Sequence, residues 1–239
     1  MAEESGGLTA AGAWGQAVAA VAVVSALGVG LWTAGEQDSS STTASSSPAT
    51  CSEGESRTAT PTPGKAGRTP VLGQQLCEVL NRSDLAELLG TPGELVKSAN
   101  GSDSSVRTGS GKEIATPSAK VELPTYTVNL EATYDRLPVA GSASLLGSDA
   151  RPRTFLDRPA VLYSSRTLSI RFRLDGSDAE SGPGVPARVL SVAQDAGDSG
   201  GSYELSIWRE DGGVPDDATL LHVAETVLPT LPGWTGDGA

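Results

Sequence analysis

No charged side chain occurs between Glu4 and Glu36. A stretch this long without charge constrains the whole chain, because it fits a bilayer far better than the wet surface of a domain. Its centre, "GQAVAAVAVVSALGVGLWTA" from Gly15 to Ala34, is rich in Ala, Val and Leu. Trp14 and Trp32 bracket it, 18 positions apart. That spacing is roughly 27 Å of helix, against a hydrocarbon layer of about 30 Å. Indole rings favour the interfacial depth, so the pair reads as an aromatic belt. The lipid bilayer is therefore the expected partner of residues 15–34, with residues 1–14 as a short tail.

A cleavable signal peptide is the alternative, with Val24-Ser25-Ala26 as its cleavage site. Against it, residues 1–16 hold no Lys or Arg and carry Glu3 and Glu4. A lipoprotein is a weaker fit, since Cys51 follows Pro48-Ala49-Thr50, far from the apolar run. Orientation is poorly determined by charge. All 17 basic residues lie beyond the run, the first being Arg57, outside the window in which positive charge sets topology.

Residues 35–70 are mostly Ser, Thr, Pro, Gly and Ala. They have too little apolar surface to offset the entropy of ordering, and read as a disordered linker. Cys51 and Cys77 are the two cysteines. With one histidine they cannot complete a four-ligand zinc site, and a disulfide from the linker to the first helix is the expectation. The Ser/Thr/Pro linker and this bond both favour an oxidising space, so the C-terminal domain is expected outside the cytoplasm. A net charge of −12 argues against nucleic acid, which needs a basic face.

From residue 71 to 234 the pattern is that of a globular domain. Leu72, Leu76, Val79 and Leu80 fall at helical spacing, and "SDLAELLGTP" reads as a short helix begun by Ser83 or Asp84 and ended by Gly90. The low-complexity stretch Ser98–Ser118 is expected to loop outside the core. In Thr125–Asp135, Tyr126, Val128, Leu130, Ala132 and Tyr134 alternate with polar residues, the period of a half-buried strand. "PAVLYSSRTLSIRFRLDG" reads as a short strand, a turn near Ser164–Arg166, and a second strand with Leu168, Ile170, Phe172 and Leu174 on one face. "ARVLSVAQ" and "SYELSIWRED" make another pair, and "PDDATLLHVAETVLPTLPGW" a last helix with Leu220, Ala224 and Val227 on one side. The expected class is α+β: an antiparallel sheet with helices on one face.

Together, "YTVNLEATYDR", "PAVLYSSRTLSIRFRLDG", "GSYELSIWRED" and the closing helix, behind an N-terminal span, resemble a family of actinobacterial single-pass membrane proteins with a C-terminal domain of unknown function. The resemblance implies a membrane-tethered module and supplies no catalytic signature.

One string does suggest catalysis. "GDSGG", Gly197–Gly201, is what surrounds the nucleophile of trypsin-like proteases. Such an enzyme needs a His base and an orienting Asp around the serine. The single histidine, His222, follows Ser199 and lies on the outer side of the last helix by helical phase. The three glycines stand between two alternating strands, where they suit a hairpin loop. No enzyme is expected, and an envelope hydrolase using Ser199 remains the minor alternative. The acids at Asp175, Asp178 and Glu180 lack the central Gly and closing Glu of a calcium loop, and no cofactor motif occurs. Arg166, Arg171 and Arg173, with Arg151, Arg153 and Arg158 just before them, form a basic run in an acidic chain. They could receive an anionic envelope polymer or a protein partner, or pair across strands with residues such as Glu131 or Asp135. The expected function is a membrane-tethered binding or sensing module of the cell envelope, with an accessory subunit of another membrane protein as the alternative.

Overall fold

Alternation along the chain forms the sheet, and helical periodicity covers it. A computed structural model describes residues 49–53, 70–109, 111–171 and 180–234, all within one compact unit, Ser47–Ala239. The expected membrane helix at 15–34 lies outside the described residues, as does most of the linker. Among the described residues no helix is long and apolar enough to cross a membrane.

Eight strands make one sheet in the order β1-β2-β5-β6-β10-β9-β8-β7. They are β1 (Ser52–Glu53), β2 (Ser98–Ser102), β5 (Ser118–Glu122), β6 (Tyr126–Thr133), β7 (Arg151–Phe155), β8 (Arg158–Arg171), β9 (Glu180–Ala193) and β10 (Ser202–Arg209). Every pairing is antiparallel except β1 with β2. β3 (Ser105–Arg107) and β4 (Glu113–Ala115) form a separate two-stranded ribbon. The α-helices among the described residues are α1 (Gly73–Leu80), α2 (Leu85–Leu88), α3 (Val139–Ser142) and α4 (Asp217–Val227). The class is α+β, mostly antiparallel sheet with a few helices.

The first face of the sheet carries the main core. Val128 and Leu130 of β6, Leu205 and Ile207 of β10 and Leu190 and Val192 of β9 meet Leu76 and Leu80 of α1, Leu85 of α2, and Leu220, Ala224 and Val227 of α4. α4 is started by Asp216, whose carboxylate accepts from the Thr219 N–H at 2.7 Å and satisfies one of the helix's orphan donors. Arg82 ties the α1–α2 turn to α4 by donating to the Thr226 carbonyl at 3.2 Å. α1 crosses β2 so closely that a Cβ on Gly101 would stand 2.4 Å from the Gly73 carbonyl oxygen.

The structure corrects three expectations. Ser98–Ser102 is not an outer loop but a strand of the sheet, with Ala99 buried in the core. Its small residues conceal it in the sequence, yet only small residues leave room for α1. Ser164–Arg166 is not a turn: β8 runs unbroken for 14 residues. The strand pairs Ser164 with Arg188 and Ser165 with Ala187, and its one irregularity is a bulge between Arg166 and Leu168. Thirdly, helices do not all share one face. α3 seats Val139 against Val161, Tyr163, Val189 and Ala193, which alternate with the first-face residues of β8 and β9 and so point to the second face.

Segment 49–53 falls within the stretch read as linker, yet here it runs beside β2. Ser52 pairs with Asn100 and Glu53 with Gly101, and Cys51 is bonded to Cys77 of α1 with their Cα atoms 6.0 Å apart.

Candidate functional site

The second sheet face is polar at its centre, and there two glutamates occupy one paired position. Glu131 of β6 and Glu204 of β10 are register partners, a placement that brings the Cβ atoms of an antiparallel pair to about 4.5–5.5 Å. Each is only partly exposed. Serines flank the pair: Ser118 of β5 is opposite Glu131 and Ser191 of β9 is opposite Glu204. Tyr163 of β8 reaches across, its hydroxyl donating to Glu204 Oε2 at 2.8 Å.

Burial raises Glu204 above the ordinary carboxyl range, against the opposing effect of the Tyr163 hydrogen bond. Glu131 is raised by burial and further by the Glu204 charge, with a Thr133 hydrogen bond opposing. The Tyr163 phenol is pushed far up by burial and by the same carboxylate. Two acids with elevated affinity for protons and one locked donor can bind, hold or release a proton on this face.

α3 closes one side of the site. The Tyr163 ring is part of its apolar seat, and the backbone N–H groups of Val139 and Ala140 donate to the Asp198 carboxylate at 2.8 and 2.9 Å. Asp198 belongs to "GDSGG". That string is the loop between β9 and β10, which pair from Ala193 with Ser202 onward. Asp198, Gly200 and Gly201 take positive φ there, whereas Gly197 does not. Gly200 is required twice, since a Cβ on it would also meet the Arg136 backbone at 2.7 Å. Ser199 is exposed and its hydroxyl donates to Asp195 Oδ2 at 2.5 Å. His222 is exposed on α4, a helix of the first face.

The arginine run is dispersed. Arg166 is exposed and donates to the Gly184 carbonyl at 3.0 Å. It shares strand phase with Leu168 and Ile170, which are 72% and 52% exposed. Arg171 pairs through its backbone with Glu180, and Arg173 lies outside the described residues. Arg151 and Arg153 are exposed on the edge strand β7. Arg158 is structural: it is buried, with its guanidinium 3.9 Å from the centre of the Trp234 ring and donating to the Gln194 and Trp234 carbonyls. Of the suggested acidic partners, Glu131 is opposite Glu204 and Asp135 accepts from the Leu137 N–H at 3.0 Å. The acids before and within α4 are also engaged, Asp211 with Arg209 and Asp217 with Arg188.

Residues 9–149 match a family of unknown function, DUF6215. The chain belongs to that family. The DUF6215 match takes in the uncharged run, the linker and the elements through α3, and stops before β7. Of the site residues, it therefore contains Glu131 but not Tyr163 or Glu204. No curated protein and no solved structure matches the chain.

Proposed function

We propose that this DUF6215 chain is a non-enzymatic, single-pass membrane protein of the cell envelope, of the kind the actinobacterial resemblance implies. Its α+β domain stands outside the cytoplasm and binds or senses a component there. The uncharged run Gly15–Ala34 supplies the anchor and residues 35–70 the tether. The observation that carries the reading is the Cys51–Cys77 bond, which fastens the middle of that stretch onto α1. Such bonds persist in oxidising compartments. An anionic envelope polymer is the ligand class that the exposed Arg151, Arg153 and Arg166 suit.

The test is a cysteine introduced at Ser41 and challenged in intact cells with a maleimide that cannot cross membranes. Labelling before lysis is expected; labelling only after lysis would place the domain in the cytoplasm and end this reading. Fluorophosphonate treatment of the purified chain is expected to leave Ser199 unlabelled.

A second reading, an accessory subunit of another membrane protein, is favoured by one observation. Beyond Ala187, where β10 stops pairing, β8 and β9 continue as a two-stranded ribbon that leaves Leu168 and Ile170 exposed. Contiguous exposed apolar side chains mark partner surfaces. A stoichiometric membrane protein co-purifying in detergent, and lost in the Leu168→Ser/Ile170→Ser variant, would favour that role.

A further inference from the structure

We propose that Glu131 and Glu204 hold one proton between them, and that its release loosens the second face of the sheet around α3. The domain would then respond to the acidity of its surroundings. For its biological use the idea rests on the sensing role proposed above; its chemistry stands on the site alone.

The geometry begins with register. Two glutamates occupy one paired position on adjacent central strands, where like charges repel directly. The groups facing them are almost all neutral: Ser118 from β5, Thr133 along β6, Ser191 from β9 and the Tyr163 hydroxyl from β8. Charged groups on the packed elements are engaged elsewhere. Lys120 of β5 pairs with Glu122 at 2.6 Å. Asp149, after α3, accepts from the Ser164 N–H at 2.8 Å and lies 3.8 Å from Arg188. Asp195 takes the Ser199 hydroxyl, and Asp198 takes the first N–H groups of α3. Among the described residues, no lysine or arginine forms an ion pair with Glu131 or Glu204.

A half-buried carboxylate pair without a counter-ion lowers its energy by keeping one proton, as acid and acceptor. Tyr163 biases which partner is ionised, because its hydroxyl donates to Glu204. Glu131 is then the acid. When that proton leaves, two charges oppose each other beside a residue that is also part of the α3 seat. The burial-driven rise of both glutamates has the direction this requires.

The sign follows from linkage. A carboxyl raised in the fold contributes stability that is complete below its unfolded value, about 4.3, and is lost as pH rises through its folded value. Carboxyl-13C glutamate labelling of the full-length chain in detergent reads the pair directly, with Glu131→Gln and Glu204→Gln assigning the signals. Two separated steps are expected in the wild type, the upper one above the ordinary carboxyl range; each variant should show a single step lower than that one, because burial alone remains to raise it. Over that interval the unfolding equilibrium constant of the wild type should rise relative to Glu131→Gln by up to about tenfold per pH unit. Hydrogen exchange at α3 should accelerate in parallel. If both carboxyls titrate together at ordinary values, or Glu131→Gln keeps the wild-type pH slope, the shared proton is refuted. The stalk-cysteine labelling is scored separately, so a wrong location and a wrong titration cannot be confused.

Discussion

Replacing Gly101 by alanine probes the closest helix–sheet approach in the main core. The added Cβ would stand 2.4 Å from the Gly73 carbonyl oxygen, 2.5 Å from its carbon and 2.8 Å from the Gln74 nitrogen. Non-bonded carbon contacts are comfortable only at about 3.5–4.0 Å, so α1 would have to retreat by roughly 1 Å. Three things oppose that retreat. Leu76, Cys77 and Leu80 are fully buried beneath the helix. Cys77 is bonded to Cys51. The Gly73 N–H donates to Asp103 Oδ1 at 2.7 Å. Overpacking of this kind costs roughly 1–3 kcal/mol, and with rigid backbone on both sides the upper end applies. Were the space open, the same substitution would stabilise by about 0.4–1 kcal/mol by restricting the unfolded chain. The sign is therefore diagnostic. For a domain of this size a loss of about 3 kcal/mol lowers Tm by roughly 6–12 °C in a circular-dichroism melt. Gly141→Ala in α3 is the control: nothing lies within 4 Å of its added Cβ, and a gain of about 0.5–1 kcal/mol is expected. A Gly101→Ala protein as stable as the wild type would refute the backbone contact between α1 and β2.

Three further outcomes follow from local geometry. The β7–β8 turn places Leu156 at φ 47° and Asp157 at φ 61°, angles that suit Asn-Gly, so Leu156→Asn/Asp157→Gly should raise stability by about 1 kcal/mol in urea titrations. Reduction should destabilise the domain by about 3.5 kcal/mol, the chain-entropy value for a bond spanning 26 residues; a melt unchanged by reductant would contradict it. Backbone and side-chain hydrogen bonds from Thr219 lower Asp216 below its ordinary value. Its contribution is present above the unfolded value of about 3.9 and is lost as pH falls through the folded one. Asp216→Ala should therefore cost about 1 kcal/mol at pH 7 and progressively less as the solution is acidified through the folded value.

Where one face of an element is apolar and its phase is regular, the sequence is readable. Tyr126, Val128, Leu130 and Ala132 alternate in the sequence and all lie in the main core. Leu220, Ala224 and Val227 are likewise buried at their helical spacing. The glycine-rich "GDSGG" also reads correctly as a hairpin loop, although Asp198 rather than Gly197 takes the positive φ. Two readings erred where chemistry and position disagree. β2 is built from Ser, Ala, Asn and Gly, a composition that suits loops. Ser164 and Ser165 resemble a turn but have strand partners on β9. Leu168 and Ile170 alternate as a core strand should, yet the ribbon carrying them extends beyond the sheet and leaves them exposed.

The candidate site shows the same division. By itself the sequence determines that Glu131 and Glu204 each occupy the polar phase of an alternating strand, because side-chain direction is a local property with a period of two. Only the tertiary structure decides that β6 and β10 are neighbours, that Glu131 is opposite Glu204, and that Tyr163 reaches over from β8. The β6–β10 register arises from contacts between residues 69 to 83 positions apart, made to bury two apolar faces at once. No local pattern encodes which polar side chains that burial will bring together.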